Sequence, residues 1–261
     1  MGNKSVVVIK LGGGLIAPKD GKMETADLPT IKRLAEEIRN AREKTGCRLV
    51  IAAGSGNYGH AAVKKYGMET DLVAAKVQRI AQKIGEIVVE EMLKIEMPAV
   101  LISPHDLFVM EGEKLVQDNS KIVGDILDKN LVPVVYGDVI WNVAGKAVIF
   151  SGEKCLSLIA ASLIGQDQQV ERVIQVSKER GVLDEKGEVI PSITHDTWEQ
   201  IKEQIGQAPA VDVTGGMRHK IEESLEMAQK SGISSVIICG KTEGNLEKAM
   251  SGEVVTGTEI V

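Results

Sequence analysis

The sequence predicts an α/β protein, a three-layer αβα sandwich with a mainly parallel central sheet. Three observations carry this. Short apolar runs alternate with segments of helical periodicity almost to the end of the chain, the pattern of parallel strands joined by crossover helices. Aromatic residues are only 3% of the 261 positions against 43% hydrophobic, so the core must be built from Val, Ile, Leu, Ala and Met, which suits a sheet covered by helices. Glycine-rich turns follow the strand-like runs, and ligands in such sheets sit beyond the carboxyl ends of the strands.

In chain order, residues 6–10 form the first strand and residues 30–44 a charged amphipathic helix. Residues 48–53 are the second strand, and 61–65 are helix-like. Residues 71–94 carry Val73, Val77, Ile80, Ile84, Ile87 and Val88 at spacings of three and four, the period of a long helix. Strands follow at 99–102 and 132–136. Residues 139–141 and 147–150 flank Ala144-Gly145 as a hairpin. A helix at 152–163, a strand at 173–176 and a polar hairpin around 184–187 come next. The polar stretch at 185–197 is the best candidate for a mobile insertion. A helix at 217–230, a strand at 236–239 and a short helix at 245–250 complete the pattern. No linker or repeat divides the chain, so one domain is expected over 1–261.

A net charge of −6 and scarce aromatics disfavour nucleic acid and anionic membranes as partners. Cys47, Cys155 and Cys239 are far apart, which argues against a disulfide framework or a zinc site. No metal ligands are assigned. No apolar run reaches the roughly 18 residues of a membrane span, and no cleavable apolar segment opens the sequence. A cytoplasmic location is expected.

Four clusters carry chemistry. Lys10-Leu11-Gly12-Gly13-Gly14, with Lys19 behind it, ends the first strand. Glycines let backbone N–H groups approach a ligand, and lysine adds a compact charge; together they suit a polyphosphate. The plainer alternative is a tight turn with solvated lysines. The second cluster is Gly54-Ser55-Gly56-Asn57-Tyr58-Gly59-His60. It contains G-x-G-x-x-G formally, but a dinucleotide fingerprint belongs to the first βαβ unit and needs an acid about 20 residues on, where helix is expected. A helix start that cradles an anion, with His60 as a further donor, is the other reading. Third is Asp212-Val213-Thr214-Gly215-Gly216-Met217 with Lys220 one turn on. Thr214 could be only an N-cap, yet two glycines and a lysine exceed what a cap requires. The fourth pairs Tyr136-Gly137-Asp138-Val139 with Phe150-Ser151-Gly152-Glu153. Its acids could hold lysines charged and in place, or close a hairpin. No G-x-x-x-x-G-K-[ST], H-E-x-x-H or G-x-S-x-G is present. At least three lysines and a histidine near three glycine turns suit phosphoryl transfer, where catalysis is mostly positioning and charge neutralisation.

These clusters in this order, with Lys64-Lys65-Tyr66-Gly67 and Thr256-Gly257-Thr258, resemble the amino acid kinase superfamily across nearly the whole chain. The histidine after the glycine loop is similar to isopentenyl phosphate kinases and the related fosfomycin kinases. The resemblance implies the amino acid kinase fold, with an acceptor-binding lobe at roughly 1–170 and a nucleotide-binding lobe at 171–261. It also implies ATP-dependent phosphorylation of isopentenyl phosphate, with Mg2+, and a homodimer. Another small phosphate or phosphonate acceptor such as fosfomycin, or a non-catalytic nucleotide-binding regulator, are the alternatives. The roles it implies are catalytic for Lys10, Lys19 and His60. ATP would be held by Lys10, Gly12, Gly13, Gly14, Gly56, Lys178, Thr214, Gly215, Gly216 and Lys220. The small phosphate substrate would meet Gly54, Ser55, Gly59, His60, Gly137, Asp138, Ser151, Gly152 and Glu153. A prenyl chain would need an apolar tunnel, for which Ile80, Ile84, Leu101 and Phe108 are candidates if they are not ordinary core. The sequence departs from the family in having Ser55 for a third glycine, Glu153 and Asn142 for aspartates, and Lys178-Glu179-Arg180-Gly181 for Asp-x-Asp-Gly.

Overall fold

A computed structural model describes residues 5–18, 22–203, 205 and 216–261. The chain opens with β1 (Val6–Leu11), a helical turn α1 (Gly13–Ile16), α2 (Leu28–Thr45), β2 (Arg48–Ala53), α3 (Gly56–Tyr66) and α4 (Asp71–Lys94). It continues through β3 (Ala99–Leu101), the turn α5 (Pro104–Leu107), β4 (Phe108–Glu111), β5 (Lys114–Asp118), α6 (Lys121–Asp128) and β6 (Val132–Tyr136). Then come β7 (Asp138–Trp141), β8 (Ala147–Phe150), α7 (Gly152–Gly165) and β9 (Val170–Ser177). The last elements are β10 (Ser192–Ile193), α8 (His195–Ile201), α9 (Gly216–Ser231), β11 (Ser235–Cys239), α10 (Asn245–Met250) and β12 (Gly257–Ile260).

Eight strands form one sheet in the order β10-β12-β11-β9-β1-β2-β6-β3. Every adjacent pair is parallel except β11 with β12. Side chains alternate across a strand, and β1 is buried on both faces. Val7, Ile9 and Leu11 enter one core with Leu34 and Ile38 of α2, Ile84 of α4 and Leu246 of α10. Val6 and Val8 enter the opposite core with Leu156 and Ile159 of α7 and Val123 of α6. The same alternation sends Lys10 to the α7 face. A third cluster joins Ile237 and Ile260 to Trp198 of α8 and Ile221 of α9.

Helix ends follow local chemistry. Asp27 accepts from the Thr30 N–H at 3.1 Å to start α2, and Gly46, at φ 69°, ends it in the left-handed region that glycine enters without penalty. Thr70 caps α4 through the Val73 N–H, and Ser151 caps α7 through the Lys154 N–H at 3.0 Å.

The structure corrects the expectation for residues 185–197. The polar hairpin is present, with Leu183 bridged to Val189. Beyond it, however, β10 pairs with β12 in the main sheet, and Ile193 is fully buried. This segment is the sheet's edge rather than an insertion. Cys47, Cys155 and Cys239 are buried free thiols. Among the described residues no helix is long and apolar enough to cross a membrane.

Candidate active site

Strands β9, β1, β2 and β6 are adjacent and parallel, so their carboxyl ends share one edge of the sheet. The residues that follow them, 177–179, 12–15, 54–56 and 137–139, line one cavity of about 430 Å³. The first turn of α7 and the start of α9 complete its wall.

Two glycine loops meet there backbone to backbone. A Cβ on Gly54 would stand 2.2 Å from the Gly13 nitrogen, and one on Gly13 would stand 2.4 Å from the Gly56 nitrogen. Gly12 donates its N–H to the Val176 carbonyl at 2.8 Å, and a Cβ on it would lie 2.6 Å from that oxygen. Gly56 has φ 45° and lies against the Ala17 carbonyl. Loop packing therefore dictates these four glycines before any ligand does. Gly14 and Gly216 differ: among the described residues a Cβ on Gly14 would meet only Lys178, at 4.0 Å, and one on Gly216 nothing within 4 Å.

Lys10 is 5% exposed and forms an ion pair with Glu153 in the first turn of α7. Burial, and then repulsion from Lys220, holds its pKa well below the usual lysine value, while Glu223 pulls the other way. Lys178, Glu179, His219 and Lys220 line the same cavity. His60, in the second turn of α3, is exposed and lines it too. The remaining expected residues Gly59, Ser55, Gly137, Ser151 and Gly152 are also in its lining. Lys19, Thr214 and Gly215 lie outside the described residues.

Asp138 has a different setting from the one its neighbours suggest. Although it borders the cavity, its side chain is fully covered. Oδ2 accepts from the His105 N–H at 3.1 Å and lies 2.7 Å from His105 Nδ1. Oδ1 accepts from the Val139 N–H. The hydrogen bond that His105 donates to Asp138 raises the His105 pKa. This carboxylate fastens α5 to β7.

The apolar side of the cavity consists of Val63, Val77, Ala81, Val139, Ile149 and Phe150. The four expected tunnel residues are absent from it, which corrects that expectation. Ile84 and Phe108 are fully buried in cores on opposite faces of the sheet, and Ile80 and Leu101 pack against the first of these. Val77, Ala81 and Ile84 share one face of α4, but a rise of about 1.5 Å per residue carries Ile84 past the cavity.

Three residues escaped the sequence reading. His219 Nε2 lies 3.4 Å from the Ser151 hydroxyl, and Glu223 one turn on is 4.0 Å from the same ring. Asn57, 1% exposed, donates to the Pro18 and Thr25 carbonyls at 2.9 and 2.7 Å and accepts from the Thr25 N–H. It thereby anchors both flanks of the segment that carries Lys19. A small amide just inside a glycine loop was the available signal. Among the described residues no group of three or more His, Cys, Asp and Glu is placed to hold a metal ion.

Comparisons with known proteins agree with this geometry. The sequence profile of the amino acid kinase family matches residues 5–239. Isopentenyl phosphate kinase of Methanocaldococcus jannaschii is 29% identical, with 98% of each chain covered. The isopentenyl phosphate kinase of Methanothermobacter thermautotrophicus is 30% identical, again over 98% of each. A crystal structure of an isopentenyl phosphate kinase superposes with a TM-score of 0.80 at 26% identity, covering 98% of this chain and all of that one. With the profile spanning most of its length and the sheet-edge cavity in place, this chain belongs to the amino acid kinase family.

Proposed function

We propose that this protein is an ATP-dependent kinase that phosphorylates isopentenyl phosphate to isopentenyl diphosphate. One observation carries the reading: Lys10, Lys178, Lys220 and His60, from four separate segments, line one cavity that also has an apolar wall. The cations come from β1, the end of β9, α9 and α3. The wall comes from α3, α4 and the β7–β8 hairpin. A triphosphate suits the first group and a short prenyl chain the second. The names of the relatives above support this acceptor.

In the proposed reaction an oxygen of the acceptor phosphate attacks the γ-phosphorus of ATP. The bond from that phosphorus to the β–γ bridging oxygen breaks, and ADP leaves. The acceptor oxygen is already anionic, since a phosphate monoester loses its second proton near pH 6, so no strong general base is required. Lys10 and Lys220 neutralise charge on the phosphates, and Lys19 is assigned the transferring group. His60 holds the acceptor phosphate. Among the described residues nothing crowds Gly14 or Gly216, which supports a nucleotide beside them. Mg2+ ordinarily binds through substrate phosphates with few protein carboxylates, which fits a cavity bordered by Glu153 and Glu179; bound there, it would offset phosphate charge.

The same reading makes residues 1–170 and 171–261 the acceptor and nucleotide lobes of one domain. It also makes the protein a cytoplasmic homodimer. Coupled ADP release on adding isopentenyl phosphate to protein and ATP tests the reaction. Faster turnover of fosfomycin or another small phosphonate would replace the acceptor. ATP binding without ADP release from any acceptor would favour a regulator.

A further inference from the structure

Beneath Lys10 lies a second cavity of about 20 Å³, bordered by Lys10, Glu153, Ser157, Gln175, Glu223 and Ser224 among others. It has room for one water molecule. Gln175 of β9 is the register partner of Lys10, so the two side chains are cross-strand neighbours on one face. Gln175 is 6% exposed. Its amide Nε2 donates to the Ser224 hydroxyl at 2.6 Å, while its Oε1 has no hydrogen-bond partner among the described residues. Glu223 Oε2 has none either. Buried acceptors are normally paired, and here two of them border the same small space as a buried ammonium. The fold thus stacks a second polar layer under the lysine that meets the main cavity.

Among the described residues the charges around this layer come from α7, α9, the end of β9 and the β4–β5 turn. Lys10 is faced by Glu153 from α7 and by Lys220 and Glu223 from α9, and Lys178 borders the adjoining main cavity. Its strand neighbours, Ala52 and Gln175, carry no charge. Glu223 is itself influenced by Lys154 from α7, His219 and Glu226 from α9, and Glu113 from the β4–β5 turn, with burial raising its pKa.

We propose that Glu223, acting with Gln175 across the small cavity, is a positioning residue for Lys10 and sets the pH range in which Lys10 can meet a phosphate. The inference rests on the kinase reading only for its last clause. Glu223 borders the same small cavity as the ammonium and, as a negative charge, offsets the repulsion from Lys220.

Lysine 13Cε NMR titration of the free protein, with the Lys10 signal assigned by its loss in Lys10→Arg, tests this without any substrate. Glu223→Gln is expected to lower the Lys10 midpoint by about one unit, and Gln175→Glu to raise it by about one unit, for a charge gained or lost a few ångströms away. The alkaline limb of kcat in the ADP-release assay should move in the same directions. Unchanged midpoints in both variants, or turnover lowered equally at every pH by Glu223→Gln, would overturn the proposal. Should Glu223→Gln fail to fold by circular dichroism, the upward shift in Gln175→Glu decides alone, and its absence refutes the idea. Shifted midpoints in a protein that turns over no acceptor would remove the kinase reading while supporting Glu223's hold on Lys10.

Discussion

Lys10 and Glu153 join β1 to the first turn of α7 through an ion pair whose side chains are 6% and 14% exposed. Glu153 is well placed for this, because a helix N-terminus favours a negative charge and Ser151 fixes where α7 begins. Removing one member of a buried pair costs more than the pair contributes, since it strands the other charge. Glu153→Gln should therefore destabilise the protein by about 2 kcal/mol in urea denaturation at neutral pH. ATP, which brings its own negative charge to Lys10, should recover more stability in this variant than in the wild type. Equal recovery would count against Lys10 meeting the nucleotide.

A second expectation concerns protons. In the free protein burial and Lys220 depress the Lys10 pKa. A bound polyphosphate favours the ammonium form and raises it. Between the two values binding takes up a proton, so ATP affinity falls as pH rises through that window. Calorimetry in two buffers of different ionisation enthalpy, run at a series of pH values below the ordinary lysine pKa, should reveal that uptake. Lys10→Met should abolish it.

His60 borders the cavity beside the apolar wall, so its loss should fall on the acceptor. His60→Ala should raise KM for isopentenyl phosphate by about tenfold or more, one charge-assisted hydrogen bond's worth, with little change in KM for ATP. Lys19→Ala should instead lower kcat far more than it raises KM, because its contact strengthens in the transition state. Steady-state kinetics with each substrate varied in turn separates the two patterns.

The glycine loops predict a contrast between neighbours. Gly13→Ala forces a Cβ into the Gly56 backbone and should cost more than about 2 kcal/mol or prevent folding. Gly14→Ala meets only Lys178, at 4.0 Å, among the described residues and should change stability by less than about 1 kcal/mol, while weakening nucleotide binding if that space belongs to ATP. Denaturation and nucleotide titration of the pair check this directly.

Ile149 lines the cavity yet is 60% exposed. Ile149→Asp should leave the melting temperature nearly unchanged and raise KM for isopentenyl phosphate by about tenfold, the value of roughly 50 Å² of lost apolar contact. An unchanged KM would place the prenyl chain elsewhere.

Much of this arrangement was legible in the chain. The apolar run before Lys10 and the glycine turn after it locate a strand end, and the helical period of 71–94 gives α4 at the observed bounds. What escaped depends on contacts distant in sequence. Gly257–Ile260 of β12 offers only a single strongly apolar residue, and β10 is two residues long; both are strands because they pair with each other, and β12 pairs with β11 on its other side. Ala81 looks like filler on a helix until α3 and the β7–β8 hairpin turn it into a cavity wall. Glu223 reads as one more charge on a solvated helix, and becomes a buried acceptor only where α9 packs against α7. From sequence alone the glycines look like ligand contacts, whereas Gly13, Gly54 and Gly56 first answer to one another.

The most direct test follows the phosphorus atoms. With ATP, Mg2+, isopentenyl phosphate and the purified protein, 31P NMR should show the monoester signal replaced by the two coupled signals of a diphosphate, in step with ADP. ADP formed at the same rate without the acceptor, or a monoester signal that persists while a phosphonate is consumed, would contradict the account.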